Sequence, residues 1–205
     1  MLTAMGLAEN IKVTPEKVSL LPNKPVTQAT LRLLDNWIFH PGMGYGLQQS
    51  FISGKIIVAM QQEPDFRLID KLMERFIIEP LPETFTSSDK TELLLHRLVH
   101  WITSIQRQQN TPMSYRYHLS SEEKKEGEQQ FFLAIPSHIM QSSTNVTEWA
   151  ITLFNNLLNR PYLDGNDLNQ ISGSLEHLNA TLKQYRLPGQ NSIYIYKAAY
   201  ELDIP

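Results

Sequence analysis

The fold expected for this chain rests on the stretch Gln48-Gln-Ser-Phe-Ile-Ser-Gly-Lys-Ile-Ile-Val-Ala-Met-Gln61. It contains two runs, 48–52 and 55–61, whose branched and aromatic residues favour strands. Ser53-Gly54 separates the runs, and such a pair is typical of a tight turn. The stretch therefore predicts an antiparallel hairpin and not the strand-helix-strand unit of a parallel sheet.

A second pair of strands is expected farther along the chain. Over 113–119, Tyr115, Tyr117 and Leu119 alternate with polar residues, which is the period of a half-buried strand. The run 130–135 is its expected antiparallel neighbour. The mixed charges of 120–129 between the two runs are typical of a solvated loop.

Helical periodicity accounts for much of the remaining chain. Apolar residues recur every three or four positions in several segments, most of them behind a residue that can cap a helix. The predicted helices are 27–39 after Thr27, 65–77 after Asp65, 89–108 after Asp89, one opened by Asn145 and Glu148, 167–185, and a short one near the C-terminus. The resulting prediction is an α+β fold, with a small, mostly antiparallel sheet packed with about six helices.

The residues 80–88 mark the expected joint between two parts of the chain. Pro80 and Pro82 interrupt regular structure, and Thr84-Phe-Thr-Ser-Ser88 is typical of a linker. The predicted organisation is an N-terminal α/β segment over 1–82, an α+β domain over 83–188 and a junction helix over 189–205. Because the last residues resemble the lead-in to a following domain, we expect the chain to belong to a longer protein.

Composition excludes several classes of protein. The formal net charge is −3 without a cluster of basic residues, so no nucleic-acid partner is expected. Cysteine is absent, which excludes disulfides and thiolate chemistry and fits a reducing compartment. The longest apolar runs are too short to span a bilayer, and the N-terminus lacks the pattern of a signal peptide. We therefore expect a cytoplasmic protein without a membrane partner.

A glycine-rich loop follows the predicted helix 27–39. Gly42, Gly44 and Gly46 alternate with other residues, and exposed backbone N–H groups in such loops can bind phosphate. The spacing matches neither the Walker loop nor the dinucleotide fingerprint, and the loop follows a helix instead of a strand. We interpret it as a structural loop.

His96 and His100 stand four positions apart on the predicted helix 89–108, so both imidazoles can project from one side. Such a pair can supply two ligands to zinc. Zinc-protease motifs of this kind also need a glutamate directly after the first histidine or directly before the second. Arg97 and Val99 occupy those positions. We therefore predict no metal site and interpret both histidines as packing or hydrogen-bonding residues.

Arg116 is the candidate contact for an acidic ligand, because a guanidinium group can pair with a carboxylate through two hydrogen bonds. Lys124 and Lys125 in the charged run 120–129 are further options. At this density of charge, a solvated surface is the simpler interpretation of the two lysines.

The order of features from about residue 93 onward resembles a known family. A helix carries His96-Arg-Leu-Val-His100, and the strand Phe131-Phe-Leu-Ala-Ile135, the helix 148–158 and an Asp167-Leu168 helix follow. Leu187-Pro-Gly-Gln-Asn191 and the ending Tyr200-Glu-Leu-Asp-Ile-Pro205 complete the order. These features and their spacing are similar to the N-terminal domain of cyanophycin synthetase, up to its junction with an ATP-grasp domain. The family has His-x-x-Glu-His on the first helix, where this chain has Val99.

The resemblance implies a non-catalytic front domain of an ATP-dependent amino-acid or peptide ligase. In that family the ATP-grasp domain activates a carboxylate with ATP and Mg²⁺, and an amine then attacks the acyl phosphate. ATP and Mg²⁺ would bind in that domain of the same chain, and no cofactor is expected in this segment. Here the domain would hold a charged peptide near the active site and raise its effective concentration. Arg116, His96 and His100 would be its candidate substrate-binding residues.

A different class of function remains open. The chain can instead be a stand-alone α+β interaction module whose apolar helices pack against a partner protein or a second copy. A homo-oligomer is compatible with both interpretations. A metalloenzyme built on His96 and His100 is a third alternative.

Overall fold

The computed structural model describes residues 29–42, 49–61, 64–82, 87–111, 113–114, 116–125, 127–160 and 162–186, with positions 194–195, 198–199 and 202. The first 28 residues of the predicted N-terminal segment, residues 43–46 of the glycine-rich loop and most of the junction helix 189–205 lie outside these described residues.

Five antiparallel strands form the sheet. They are β1 (Ala29–Leu33), β2 (Ile38–His40), β3 (Phe51–Met60), β4 (His118–Lys125) and β5 (Glu128–Pro136). The spatial order is β1-β3-β5-β4, and β2 pairs with β3 beside β1. The prediction of an α+β fold with a small antiparallel sheet is thereby confirmed.

The hairpin predicted at Ser53-Gly54 is wrong, because β3 runs through both residues as one ten-residue strand. Gly54 serves a packing role in this strand. A Cβ at Gly54 would lie 2.9 Å from Cε3 of Trp37, so glycine makes room for an indole ring that is 5 % exposed. A glycine inside a strand often marks such a close approach.

The helix predicted over 27–39 is also wrong in its described part, which forms β1 and β2. Ala29 and Leu31 are buried whereas Thr30 and Arg32 are exposed, which is the two-residue period of a strand. Four irregular residues separate β1 from β2. Trp37, the last of the four, packs in the core. These residues interrupt the alternation of apolar and polar residues, so the apolar spacing resembles that of a helix.

Four α-helices are described, whereas about six were predicted. They are α1 (Arg67–Phe76), α2 (Lys90–Gln108), α3 (Met140–Leu158) and α4 (Gly165–Leu182), and a 3-10 turn, Lys183–Tyr185, follows α4. The difference arises because one predicted helix belongs to the sheet and another lies mostly outside the described residues.

The helix starts differ in detail from the predicted ones. Asp89 caps α2 by accepting a hydrogen bond from the Thr91 N–H at 2.7 Å. Glu92 does not complete a capping box, since it accepts the Ser87 hydroxyl. The predicted start at Asn145 is wrong, because α3 begins at Met140. A capping box opens α4 instead, and it is formed by two aspartates, Asp164 and Asp167.

The strand predicted over 113–119 is shifted toward the C-terminus. It begins at His118 and continues to Lys125, through the run expected to be a loop. Gly127, with φ of 78°, lies between β4 and β5, a backbone conformation that glycine adopts without strain. Charged residues can extend this strand because it lies at the edge of the sheet, where charge also opposes aggregation.

The helices pack on one side of the sheet. The core-facing side chains of β3, β5, α2 and α3 are at most a few per cent exposed and form one core with α1. Arg97 of α2 ties α1 to this layer, since its Nε donates to Asp70 at 2.7 Å and its guanidinium lies 4.1 Å from the Phe66 ring centre. Strands from both sides of position 82 belong to the same sheet. The domain boundaries at 82/83 and 188/189 stay predictions.

Two asparagines of α3 cover the free edge of β1. Asn155 accepts from the Leu31 N–H at 2.6 Å and donates to the Leu31 carbonyl at 2.9 Å. Asn159 makes the same pair of bonds with Ala29, at 3.1 and 2.7 Å. The two amides replace the hydrogen bonds of a neighbouring strand, and we call them the asparagine clamp.

No described helix is long and apolar enough to cross a membrane.

Candidate functional site

The candidate site is the face of the sheet opposite the described helices, which we call the outer face. Strand register and alternation place the following side chains there: Thr30, Arg32, Ile38, His40, Phe51, Ser53, Lys55, Ile57, His118, Ser120, Glu122, Gln130, Phe132 and Ala134. Most are exposed or half-buried, and Ile38 is 60 % exposed. No described helix lies on this face, and a sheet face with apolar and polar groups mixed is a candidate binding surface.

One end of the outer face has small residues between two aromatic groups. Ser53 and Ala134 are directly paired across β3 and β5. On one side, His40 stacks on Phe51 with ring centres 4.3 Å apart, and its Nε2 lies 2.8 Å from the Ser53 hydroxyl. On the other side, the His118 and Phe132 ring centres are 6.1 Å apart. Two small side chains thus lie between two pairs of aromatic rings at this end of the face.

Two ion pairs cross the other end of the outer face. Arg32 of β1 reaches Glu128 of β5 at 3.5 Å, across β3. Lys55 of β3 reaches Glu122 of β4 at 2.9 Å, across β5. The hydrogen bond between Lys55 and Glu122 raises the pKa of the lysine and lowers the pKa of the carboxyl group. Both groups therefore remain charged over the neutral range, and the outer face presents both signs of charge.

Arg116 is exposed and precedes β4 by two residues. The segment that carries it is held on both sides. Gln49 donates to the Ser114 hydroxyl at 3.0 Å and accepts from the Ser114 N–H at 3.1 Å, while the Tyr117 hydroxyl is bonded to His96 Nδ1. The Arg116 N–H donates to the Ser114 hydroxyl at 3.1 Å. A short, anchored segment thus places Arg116 at the margin of the sheet.

His96 and His100 leave α2 toward different partners. His96 meets Tyr117, and burial lowers the pKa of His96 and raises the pKa of the tyrosine. The His100 ring is 3 % exposed and its Nε2 donates to the Glu79 carbonyl at 3.0 Å. The three predicted site residues do not share a site in the described contacts: His96 bonds Tyr117, the residue after Arg116, and His100 lies in the interface with the segment after α1.

No group of three or more histidine, aspartate or glutamate side chains in the described part of the chain could hold a metal ion. Gly42 of the glycine-rich loop has a packing role, because a Cβ there would collide with the backbone carbonyl carbon of Gln49.

Acid is expected to destabilise the protein through one buried histidine, His100, and two half-buried ones, His96 and His138. Burial lowers the pKa of His100 and outweighs the opposing effect of Glu79, and burial also lowers the pKa of His96 and His138. Below about pH 6.5 the unfolded chain takes up protons that the folded chain does not. The stabilisation from neutral imidazoles is therefore complete above that pH and is lost as the pH falls.

Urea unfolding of the wild type and of His100→Gln, measured between about pH 7.5 and 5.5, tests this expectation. The glutamine amide can still donate to the Glu79 carbonyl. The variant should have a flatter pH dependence, with a difference of at most about 1.4 kcal/mol per pH unit. His177→Gln, at an exposed position of α4, is the matched control. Equal slopes for wild type and His100→Gln would contradict the expectation.

Sequence reasoning missed most of the outer face. His40, Ser53 and Phe132 become neighbours because β3 pairs with both β2 and β5, and no local pattern shows that pairing. The one available signal was the alternation in 128–135, where Gln130, Phe132 and Ala134 share a face.

Comparison with known proteins gave no match. No family model, no curated protein and no solved structure matches this chain.

Proposed function

We propose that this chain is a non-catalytic peptide-holding domain of an ATP-dependent amino-acid or peptide ligase that resembles cyanophycin synthetase. The outer face binds a charged peptide substrate, and an ATP-grasp domain of the same protein uses ATP and Mg²⁺ to activate its carboxylate. The setting is cytoplasmic. Binding here keeps the peptide near the reacting groups and leaves the chemical step to the other domain.

The observation that carries the proposal is the anchored position of Arg116 beside the outer face, on which no described helix packs. Because Gln49 and His96 hold the segment on either side, little backbone order is lost when a carboxylate binds the arginine. The aromatic pairs His40–Phe51 and His118–Phe132 supply apolar contact area on the outer face. An extended acidic peptide can use both kinds of contact.

Replacing Arg116 with alanine is expected to weaken the binding of an acidic peptide about three- to tenfold, because one exposed charge contact is lost. The probe is a fluorescently labelled aspartate-rich peptide of about six residues, the length of a strand, and fluorescence anisotropy measures its affinity. Its affinity should also fall as salt is raised.

Arg75→Ala is the matched control, since Arg75 is an exposed arginine of α1 in the helical layer. This variant removes the same charge and should keep the wild-type affinity. Unchanged affinity of Arg116→Ala, or equal binding of an asparagine-rich peptide of the same length, would remove Arg116 and the acidic peptide from the proposal.

The exposure of Ile38 favours one alternative function, a stand-alone interaction module. A sheet face with an isoleucine that is 60 % exposed can pack against a second copy of the chain. Sedimentation velocity distinguishes the two functions. Assembly that grows with protein concentration and is abolished by Ile38→Asp would favour the module, whereas a monomer that binds the acidic peptide would favour the ligase domain.

A further inference from the structure

A cleft of about 240 Å³ lies between α3 and α4, in the helical layer and away from the outer face. It runs along about three turns on the α3 side and about two turns of α4, from Trp149 and Ser174 at one end to Arg160 and Asp167 at the other. Leu153, Leu157 and other aliphatic side chains form its floor. The volume is smaller than the roughly 300–1,000 Å³ typical of sites for drug-sized ligands, so the cleft suits one small molecule.

The two ends of the cleft differ in chemistry. At the first end, Trp149 donates its indole N–H to the Ser174 hydroxyl at 3.1 Å, which fixes the ring as an apolar wall. At the second end, Arg160 is paired with Asp167, and their side chains are 46 % and 19 % exposed. The Asp167 carboxylate also accepts the Asp164 N–H at 3.1 Å, so the capping box holds its position.

A cation and an anion side by side define the polar group that fits the second end. A ligand with only a carboxylate would be attracted by Arg160 and repelled by Asp167. A ligand with only an ammonium group would be attracted by Asp167 and repelled by Arg160. A group carrying both charges can place its carboxylate at Arg160 and its ammonium at Asp167. The hydrogen bonds from its ammonium to Asp167 and from Arg160 to its carboxylate would then be charge-assisted.

From this arrangement we infer that the cleft between α3 and α4 binds a free α-amino acid with a bulky apolar side chain. The ammonium and carboxylate of the amino acid bind at Asp167 and Arg160, and its side chain lies over Leu153 and Leu157 toward Trp149. The inference does not depend on the proposed peptide-holding function, since the outer face contributes no residue to the cleft.

Isothermal titration calorimetry with L-phenylalanine tests the inference directly. N-acetyl-L-phenylalanine lacks the ammonium, phenethylamine lacks the carboxylate, and glycine lacks the apolar side chain. Phenylalanine should bind saturably, and each of the three analogues should bind at least about tenfold more weakly, as expected when a charge-assisted bond or the buried side chain is lost. No saturable heat at about 10 mM phenylalanine, or equal binding of either aromatic analogue, would overturn the inference.

Arg160→Gln should weaken phenylalanine binding about tenfold or more, and Arg75→Gln on α1 is the matched control. Circular dichroism checks that each variant is folded. A folded Arg160→Gln protein with wild-type affinity would overturn the assignment of Arg160. The analogue series uses the wild-type chain, so it decides the question even if a substitution unfolds the protein. The peptide-binding assay with Arg116→Ala is a separate readout, so failure of one proposal leaves the other testable.

Discussion

Replacing both Asn155 and Asn159 with alanine is expected to lower the free energy of unfolding by about 3–5 kcal/mol, a large part of the total stability of a typical domain. The clamp satisfies the N–H and carbonyl groups of Ala29 and Leu31. Both residues are at most 2 % exposed, so water cannot easily replace the lost amides. Urea unfolding followed by circular dichroism measures the change.

Asn156→Ala is the control for this prediction, because Asn156 is an exposed asparagine of the same helix. Its effect should stay within about 0.5 kcal/mol. The double variant should also aggregate at lower protein concentration than the control, since an unpaired strand edge is a template for pairing between chains. If the double variant were as stable as the wild type, the asparagine clamp would make no net contribution to the free energy of unfolding.

Gly54→Ala is expected to destabilise the protein by about 1–3 kcal/mol, as overpacking in a core does. The new Cβ would lie 2.9 Å and 3.0 Å from two carbons of the Trp37 ring and 3.4 Å from a Leu33 methyl carbon. Trp37 is 5 % exposed and has little room to move. Thermal and urea unfolding measure the loss.

Gly173→Ala should have the opposite sign. This glycine lies in α4, and nothing within 4 Å would meet an added Cβ. Alanine there should stabilise the helix by about 0.5–1 kcal/mol.

The contact between Gly54 and Trp37 can be tested in a double-mutant cycle. Trp37→Leu should reduce the stability lost on Gly54→Ala, because the smaller side chain no longer collides with the new Cβ. Independent, additive effects would contradict the proposed contact.

Elements whose buried side follows one regular period along their whole length were predictable from the sequence. The apolar stripe of α2 contacts the core along most of its length, so helical periodicity and the Asp89 cap located it. Strand β5 alternates regularly between buried and exposed residues, and its pairing with a neighbour on its N-terminal side was also predicted. In these cases local pattern and tertiary environment agree.

The errors arose where a distant residue determines the local structure. Gly54 looked like a turn because the ring of Trp37 that requires it lies 17 positions earlier in the sequence. The segment carrying β1 and β2 looked helical because four irregular residues interrupt its alternation. Most of the candidate site could not be predicted from the sequence for the same reason. Arg116 could be proposed from its chemistry, whereas the outer face exists only once β3 has paired with β2 and β5.

The central position of β3 has a consequence for the order in which the chain folds during synthesis. On one edge β3 pairs with β1 and β2, which are synthesised before it. On the other edge it pairs with β5, whose residues lie about 70 to 85 positions later in the sequence. At roughly 5–20 residues per second, translation leaves the second edge of β3 unpaired for several seconds. During that interval a ribosome-bound chain presents the run Ile56-Ile-Val58 without its permanent neighbour, and a chaperone that recognises extended apolar segments is expected to bind there.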